Sequence, residues 1–108
     1  MRTVVVLNHD HMGHGDLELG KKILATFLRK AGVLKELSAI VFYNSGVKLL
    51  TKDSPVLAEL TTLEQQGVDL VPCGTCIKHF GIELATGKVS DMDTILRELD
   101  RAAKVITL

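Results

Sequence analysis

Four short apolar segments rich in β-branched residues recur along the chain. They occupy Thr3 to Leu7, Ala39 to Phe42, Val68 to Val71 and Lys104 to Leu108. Their apolar positions run together instead of alternating with polar ones, which is typical of strands in a parallel sheet covered on both faces. The pattern therefore predicts four buried parallel strands.

The stretches between these strands carry apolar residues at helical spacing. Helices are predicted from the N-cap Asp16 to Gly32, from Ser54 to just before Gly67, over Cys76 to Phe80, and from Ser90 onwards. The first and last of them each place an apolar stripe inward: Leu17, Gly20, Ile23, Leu24, Phe27, Leu28 and Ala31, and Met92, Ile95, Leu96, Leu99 and Ala103.

The alternation of strand and helix predicts the fold class. It indicates an α/β layer sandwich with a mostly parallel sheet, built from right-handed βαβ units. The chain has 108 residues and shows no linker, repeat or low-complexity stretch. We therefore expect one domain over residues 1–108, with ligands bound beyond the carboxyl ends of the strands at the topological switch point.

Charge and hydropathy exclude several classes of partner. Thirteen basic residues balance thirteen acidic ones, so the chain lacks the field with which a protein attracts nucleic acid or an acidic membrane. No apolar run is long enough to span a bilayer, and the apolar start is too short for a signal peptide. We expect a soluble, cytoplasmic protein, and the 46% hydrophobic residues favour a homo-oligomer that covers surplus apolar surface.

Two cysteines stand three residues apart in Cys73-Gly74-Thr75-Cys76, directly after the third predicted strand. Such a pair in a reducing compartment is more often catalytic or metal-binding than part of a disulfide framework. Cys76, placed in the first turn of the next helix, would have its thiolate stabilised by free amides and the helix dipole. The alternative is that both cysteines are small buried hydrophobic residues.

The loop after the first strand contains three histidines, His9, His11 and His14. A structural zinc site normally takes four ligands, so zinc shared between the cysteines and His9 or His79 is a minor alternative. The loop is better interpreted as solvated histidines or as an anion-facing loop, because Gly13 precedes a helix whose first amides would face a ligand. No metal and no cofactor are therefore expected.

The loop after the second strand contains Asn44, Ser45 and Gly46. Its side chains could donate hydrogen bonds to a ligand, or bond their own backbone as in ordinary turns. Because parallel strands end at the same edge of a sheet, we expect the three loops to share one crevice. The candidate substrate-binding residues come from all three loops: Asn8, His9, Gly13, Asn44, Ser45, Gly46, Gly74 and Thr75.

Taken together, four segments resemble the DsrE/DsrF-like family, closest to the domain of YedF-type proteins assigned to selenium metabolism. They are Asn8 to Gly20, Phe42 to Lys48, Val71 to Cys76 and Ala103 to Leu108. The resemblance covers essentially the whole chain and is most specific in Asn-Ser-Gly-Val and Cys-Gly-Thr-Cys. It implies a flavodoxin-like three-layer α/β/α sandwich, a homotrimer or homohexamer, and sulfur relay between protein partners.

The resemblance also implies an order of the two thiols. In the family the sulfur-carrying cysteine ends the third strand, eight residues before the glycine that closes the next short helix, and Cys73 and Gly81 have that spacing. Cys73 is therefore ranked first, with Cys76 as the resolving or alternate thiol.

The function implied is transfer of sulfur, or selenium, as a cysteine persulfide. The chain would act as a sulfurtransferase or sulfur carrier, with a small sulfur-carrier protein as donor or acceptor. The alternative is a non-catalytic module of the same fold that binds a small ligand or assembles with a partner.

Overall fold

The computed structural model describes residues 2–108 and alternates strands with helices. The elements, in chain order, are β1 (Thr3–Leu7), α1 (Leu17–Lys30), β2 (Leu37–Phe42), α2 (Leu57–Gln65), β3 (Asp69–Pro72), α3 (Gly74–Phe80), α4 (Met92–Arg101) and β4 (Lys104–Thr107). Two 3₁₀ helices, Ala31–Val33 and Asn44–Leu50, follow α1 and β2.

The four strands form one parallel sheet in the order β3-β2-β1-β4. Val5 at the centre of β1 pairs with Ile40 of β2 on one side and with Ile106 of β4 on the other. The chain winds from β1 outward to β3 and then returns to place β4 beside β1. The predicted α/β class and parallel sheet are thus confirmed, and the topological switch lies between β1 and β4.

Helices cover both faces of the sheet. On one face, Leu24 and Leu28 of α1 and Leu60 of α2 pack in a core cluster with Val5 and Ile40. On the other face, Ile95 of α4 packs with the strand residues of alternate parity, including Val4 and Val41. Since successive strand side chains point to opposite faces, the continuous apolar runs of β1, β2 and β3 fill both layers. The edge strand β4 is largely exposed, with Val105 44% exposed, so the prediction of a buried fourth strand is wrong.

Three helix starts differ from the sequence prediction, including that of α3, which begins at Gly74 and not at Cys76. Asp91, not Ser90, caps α4, because its Oδ1 accepts the Thr94 N–H at 2.8 Å. The helix α2 begins at Leu57 and not at Ser54, whose hydroxyl accepts the Val56 N–H in the preceding turn. The start of α1 is confirmed, with Asp16 accepting the Leu19 N–H at 2.8 Å.

The apolar stripes of α1 and α4 are wider than the helix faces that are buried against the sheet, so several of their residues are exposed. Met92 and Leu96 of α4 are 50% and 55% exposed, and Leu17 and Ile23 of α1 are also largely exposed. Ala103 lies beyond the end of α4 and is exposed. The prediction that these residues are all buried is therefore wrong, because one helix on a four-stranded sheet buries only a narrow stripe.

A buried carboxylate ties α4 to the start of β1. Glu98 is almost fully buried, accepts a hydrogen bond from Arg2 at 2.7 Å, and also contacts the guanidinium of Arg101. A buried charge is tolerated when it is paired and hydrogen-bonded in this way. No helix within residues 2–108 has both the length and the apolar character needed to cross a bilayer.

Candidate functional site

The 3₁₀ helix Asn44–Leu50 links the loops that follow β1 and β3. The Ser45 hydroxyl accepts the Asp10 N–H at 3.1 Å, and the Asn44 N–H donates to Cys76 Sγ at 3.1 Å. The middle segment therefore contacts both of its neighbours at the carboxyl edge of the sheet. The thiols follow the edge strand β3, however, and so lie away from the β1–β4 switch point at which the sequence placed the ligand.

Cys73 occupies the junction between β3 and α3. Its N–H donates to the Phe42 carbonyl at 2.9 Å, which continues the ladder with β2, while its own carbonyl accepts the Ile77 N–H of the first helical turn. The helix thus begins at Gly74, and Cys73 is its N-cap. The helix starts two residues before the predicted Cys76, so Cys76 still lies in its first turn as predicted, but the pKa of Cys76 is raised there and not lowered.

The two thiols interact with each other, and their pKa values move in opposite directions. Burial raises the pKa of Cys73, but hydrogen bonds from the backbone and thiol of Cys76 and from the backbone and hydroxyl of Thr75 outweigh it, and the pKa is lowered. Burial and the hydrogen bond to Cys73 raise the pKa of Cys76, and the Asn44 N–H only partly offsets them. Cys73 is therefore the more acidic thiol of the pair, and Cys76 is the thiol that donates to it.

Tyr43 is a further residue at this site that the sequence candidates omitted. It packs on the core cluster that contains Cys73, and its hydroxyl lies 3.9 Å from Met92 Sδ. Burial and then the charges of Cys73 and Cys76 raise the pKa of Tyr43, so the phenol stays neutral beside the thiolate. Its position directly before Asn44 was the one sequence signal that could have found it.

Close backbone contacts explain the glycines of the second and third segments. A Cβ at Gly46 would lie 2.5 Å from the Leu7 carbonyl oxygen, and one at Gly74 would lie 2.6 Å from the Ser90 carbonyl oxygen. The Gly74 N–H donates to that same Ser90 carbonyl at 3.0 Å. Gly46 is buried, whereas Thr75 is exposed at the mouth of the site.

Asn44 has a left-handed backbone, with φ of 50°. Asparagine adopts this conformation more readily than most residues, although at some energetic cost. The conformation accompanies the hydrogen bond from its N–H to the Cys76 sulfur. Asn44 thus acts on the thiols through its backbone, and its side chain is exposed.

The first loop has a different organisation from the other two. The His9 ring stacks on His11 at 5.4 Å and meets His14 edge-on at 6.0 Å, and His11 Nδ1 lies 2.8 Å from Asp10 Oδ1. Gly13 has a left-handed φ of 81°, and a Cβ added there would meet nothing within 4 Å. The Asn8 N–H donates to the Leu108 carbonyl at the end of β4.

The groups near the thiols are not metal ligands of the usual kind. Within residues 2–108, no three side chains of His, Cys, Asp or Glu converge to hold an ion. Of the basic residues near α3, Lys48 lies over the Phe80 ring at 4.5 Å and His79 meets the Phe80 ring edge-on. The hydrogen bonds that lower the Cys73 pKa come instead from Cys76 and Thr75.

The opposite pKa shifts predict two separate thiolate titrations. As the pH rises, Cys73 ionises first, and Cys76 follows at higher pH because a second charge beside the first is unfavourable. The ultraviolet absorbance of the thiolate measures both steps and does not depend on reagent access. Cys76→Ala should raise the lower midpoint by removing a donor to Cys73. A single step with two equivalent thiols would contradict the assignment.

Comparison with known proteins places this site in a family. Three solved structures share the fold: the protein of unknown function MTH1491 from Methanobacterium thermoautotrophicum (23% identity, 99% and 98% of the two chains, TM-score 0.72), the ychN protein from E. coli (19%, 100% and 100%, 0.70) and the protein of unknown function BT1422 from Bacteroides thetaiotaomicron (22%, 98% and 94%, 0.63). No curated protein matches the chain. The sequence profile of the DsrE/DsrF-like family matches residues 1–108 from end to end, and the chain belongs to that family.

Proposed function

We propose that the chain is a sulfur relay protein that carries a persulfide on Cys73. The observation that carries the proposal is the hydrogen-bonded pair in which Cys76 keeps its proton and Cys73 is ready to ionise. A thiolate is the form of cysteine that attacks sulfur. Cys73 thus supplies the nucleophile, and Cys76 supplies a second thiol within reach.

Loading requires no cofactor. The Cys73 thiolate attacks the outer sulfur of a donor persulfide, a new S–S bond forms, the donor S–S bond breaks, and the donor leaves as a thiolate. Delivery is the reverse exchange. An acceptor thiolate attacks the outer sulfur, the S–S bond to Cys73 breaks, and Cys73 leaves as a thiolate. The neutral Tyr43 phenol and the Asn44 N–H line the place where this charge develops.

Cys76 offers a second outcome. Its thiolate can attack Cys73 Sγ, which forms a Cys73–Cys76 disulfide and expels the outer sulfur as hydrosulfide. The two cysteines are then oxidised and the outer sulfur is reduced. An external thiol reductant is needed to restore the dithiol.

The family context supports a more specific version of this function. We propose that the chain is a single domain over residues 1–108 of the YedF type, that selenium follows the same route as sulfur, and that a small cytoplasmic sulfur-carrier protein is donor or acceptor. Homotrimers or homohexamers would cover the exposed apolar residues of α1 and α4, including Leu19, Ile23, Met92 and Leu96. The same exposed surface is what the alternative, a non-catalytic assembly or ligand-binding module, would use.

Cys76→Ser tests the assignment of Cys76 as the resolving thiol. We expect the variant to accept one sulfur atom from a small-molecule persulfide, and the loaded state to last at least about ten times longer than in the wild type, because the intramolecular attack is removed. Intact-protein mass spectrometry over time measures both. Equal decay in variant and wild type would show that Cys76 does not resolve the persulfide. If neither protein takes up sulfur, the non-catalytic module is the correct function.

A further inference from the structure

The thiol pair is also a set of soft metal ligands. Cys73 is the N-cap of α3, Cys76 lies in the first turn of the same helix, and both pack in one core cluster as free thiols. No histidine or carboxylate joins them in a group of three in the part of the chain that the structure describes. A zinc ion, which takes four ligands in structural sites, would be left unsatisfied by two thiolates.

We propose that Cys73 and Cys76 together bind one monovalent copper ion as a two-thiolate site. Thiolate ligands select Cu(I) over harder ions, and Cu(I) accepts a lower coordination number than zinc. Zinc is disfavoured at this pair by the count of four ligands that a structural zinc site requires. That count does not apply to a low-coordinate soft ion.

The surroundings of the pair suit such an ion. Cys73 is 7% exposed and packs with Val71 and Ile95, and Tyr43 and Cys76 pack against the same cluster. This apolar wall limits access of water and other hard ligands to the sulfurs. It favours a soft monovalent ion over a hydrated divalent one.

The charge of the complex is also accommodated. Binding releases two protons, one from each thiol, and leaves one net negative charge on the copper dithiolate. The Asn44 N–H donates to Cys76 Sγ at 3.1 Å, and Thr75 donates to Cys73. Hydrogen bonds of this kind to ligand atoms orient the ligands and tune metal affinity.

This site goes beyond the sulfur relay and does not depend on it. Relay needs the Cys73 thiolate alone, whereas copper needs both sulfurs. The two activities also exclude each other, since a copper-bound Cys73 is no longer a free nucleophile. Copper-loaded protein should therefore fail to take up persulfide sulfur, whereas the copper-free protein should take it up.

Competition with a chromophoric Cu(I) chelator, bathocuproine disulfonate, tests the site under anaerobic conditions. We expect the reduced wild type to withdraw one copper ion per chain from the chelator complex. Cys73→Ser and Cys76→Ser should each lower the affinity more than about 100-fold, a larger loss than that caused by changes outside the ligand set. Lys78→Ala, on the exposed side of the same helix, should bind copper as the wild type does.

Three results would overturn the proposal. The first is no withdrawal of copper by the folded wild type. The second is retention of copper by either single cysteine variant, which would place the ion elsewhere. The third is a copper-dependent doubling of mass in size-exclusion chromatography, since the ion would then bridge two chains. Because persulfide loading of the apoprotein is measured separately, failure of this site and failure of the relay are distinguishable.

Discussion

Cys73→Ser should abolish uptake of sulfur from a persulfide donor. Cys73 has the lowered pKa of the pair, because Cys76 and Thr75 donate hydrogen bonds to its sulfur. Serine has a far less acidic hydroxyl, which is not nucleophilic toward sulfur at neutral pH. We expect no added sulfur mass on the peptide that contains residues 73 and 76, where the wild type gains one sulfur atom.

The variant should fold, so the loss can be read as chemistry. Cys73 is the N-cap of α3, and serine is among the residues preferred at that position. The thermal midpoint of Cys73→Ser should therefore stay close to that of the wild type. If Cys73→Ser takes up sulfur and Cys76→Ser does not, the order of the thiols is reversed. If both take it up, either thiol can carry the sulfur and the assignment to Cys73 is wrong.

The sequence predicted those elements that depend on local pattern. The cap of α1 depends on Asp16 and on an amide three residues away, and the four strands depend on short β-branched runs. The start of α3 was misplaced because Gly74 is held by the Ser90 carbonyl, a contact between distant parts of the chain. The 3₁₀ helix Asn44–Leu50 carries no helical periodicity, so the sequence pattern predicts only a loop there.

The residues of the candidate site were likewise predictable only where local sequence defines them. The Cys73–Cys76 spacing identified the pair, and the family resemblance ranked Cys73 first, in the same direction as the hydrogen bonds that lower its pKa. The contribution of Tyr43 depends on its burial beside both sulfurs. No pattern of neighbouring residues encodes that burial, so only the folded chain reveals it.

Gly46→Ala should destabilise the fold by about 3 kcal/mol, as expected for overpacking that the backbone must absorb. The added Cβ would lie 2.5 Å from the Leu7 oxygen and 3.3 Å from the Leu7 carbonyl carbon. These atoms belong to the end of a central strand, and the same oxygen accepts the Tyr43 N–H at 3.0 Å. Neither neighbour can move away as a flexible side chain could.

The matched control is Gly32→Ala, because a Cβ at Gly32 meets nothing within 4 Å. We expect that variant to be neutral or slightly more stable, since alanine lowers the entropy of the unfolded chain. Thermal unfolding should separate the two alanine variants by more than about 10 °C for a chain of this size. Similar midpoints for both would show that the strand end yields to the methyl group.

The destabilisation should also reach the thiols. Gly46 lies two residues from Asn44, whose N–H donates to Cys76 Sγ, and one residue from Ser45, whose hydroxyl accepts the Asp10 N–H. A displaced 3₁₀ helix would withdraw the Asn44 donor, which lowers the Cys76 pKa in the wild type. In folded Gly46→Ala at low temperature, the upper thiolate titration should therefore move to higher pH. An unchanged upper midpoint would mean that the Asn44 contact survives and that Gly46 serves stability alone.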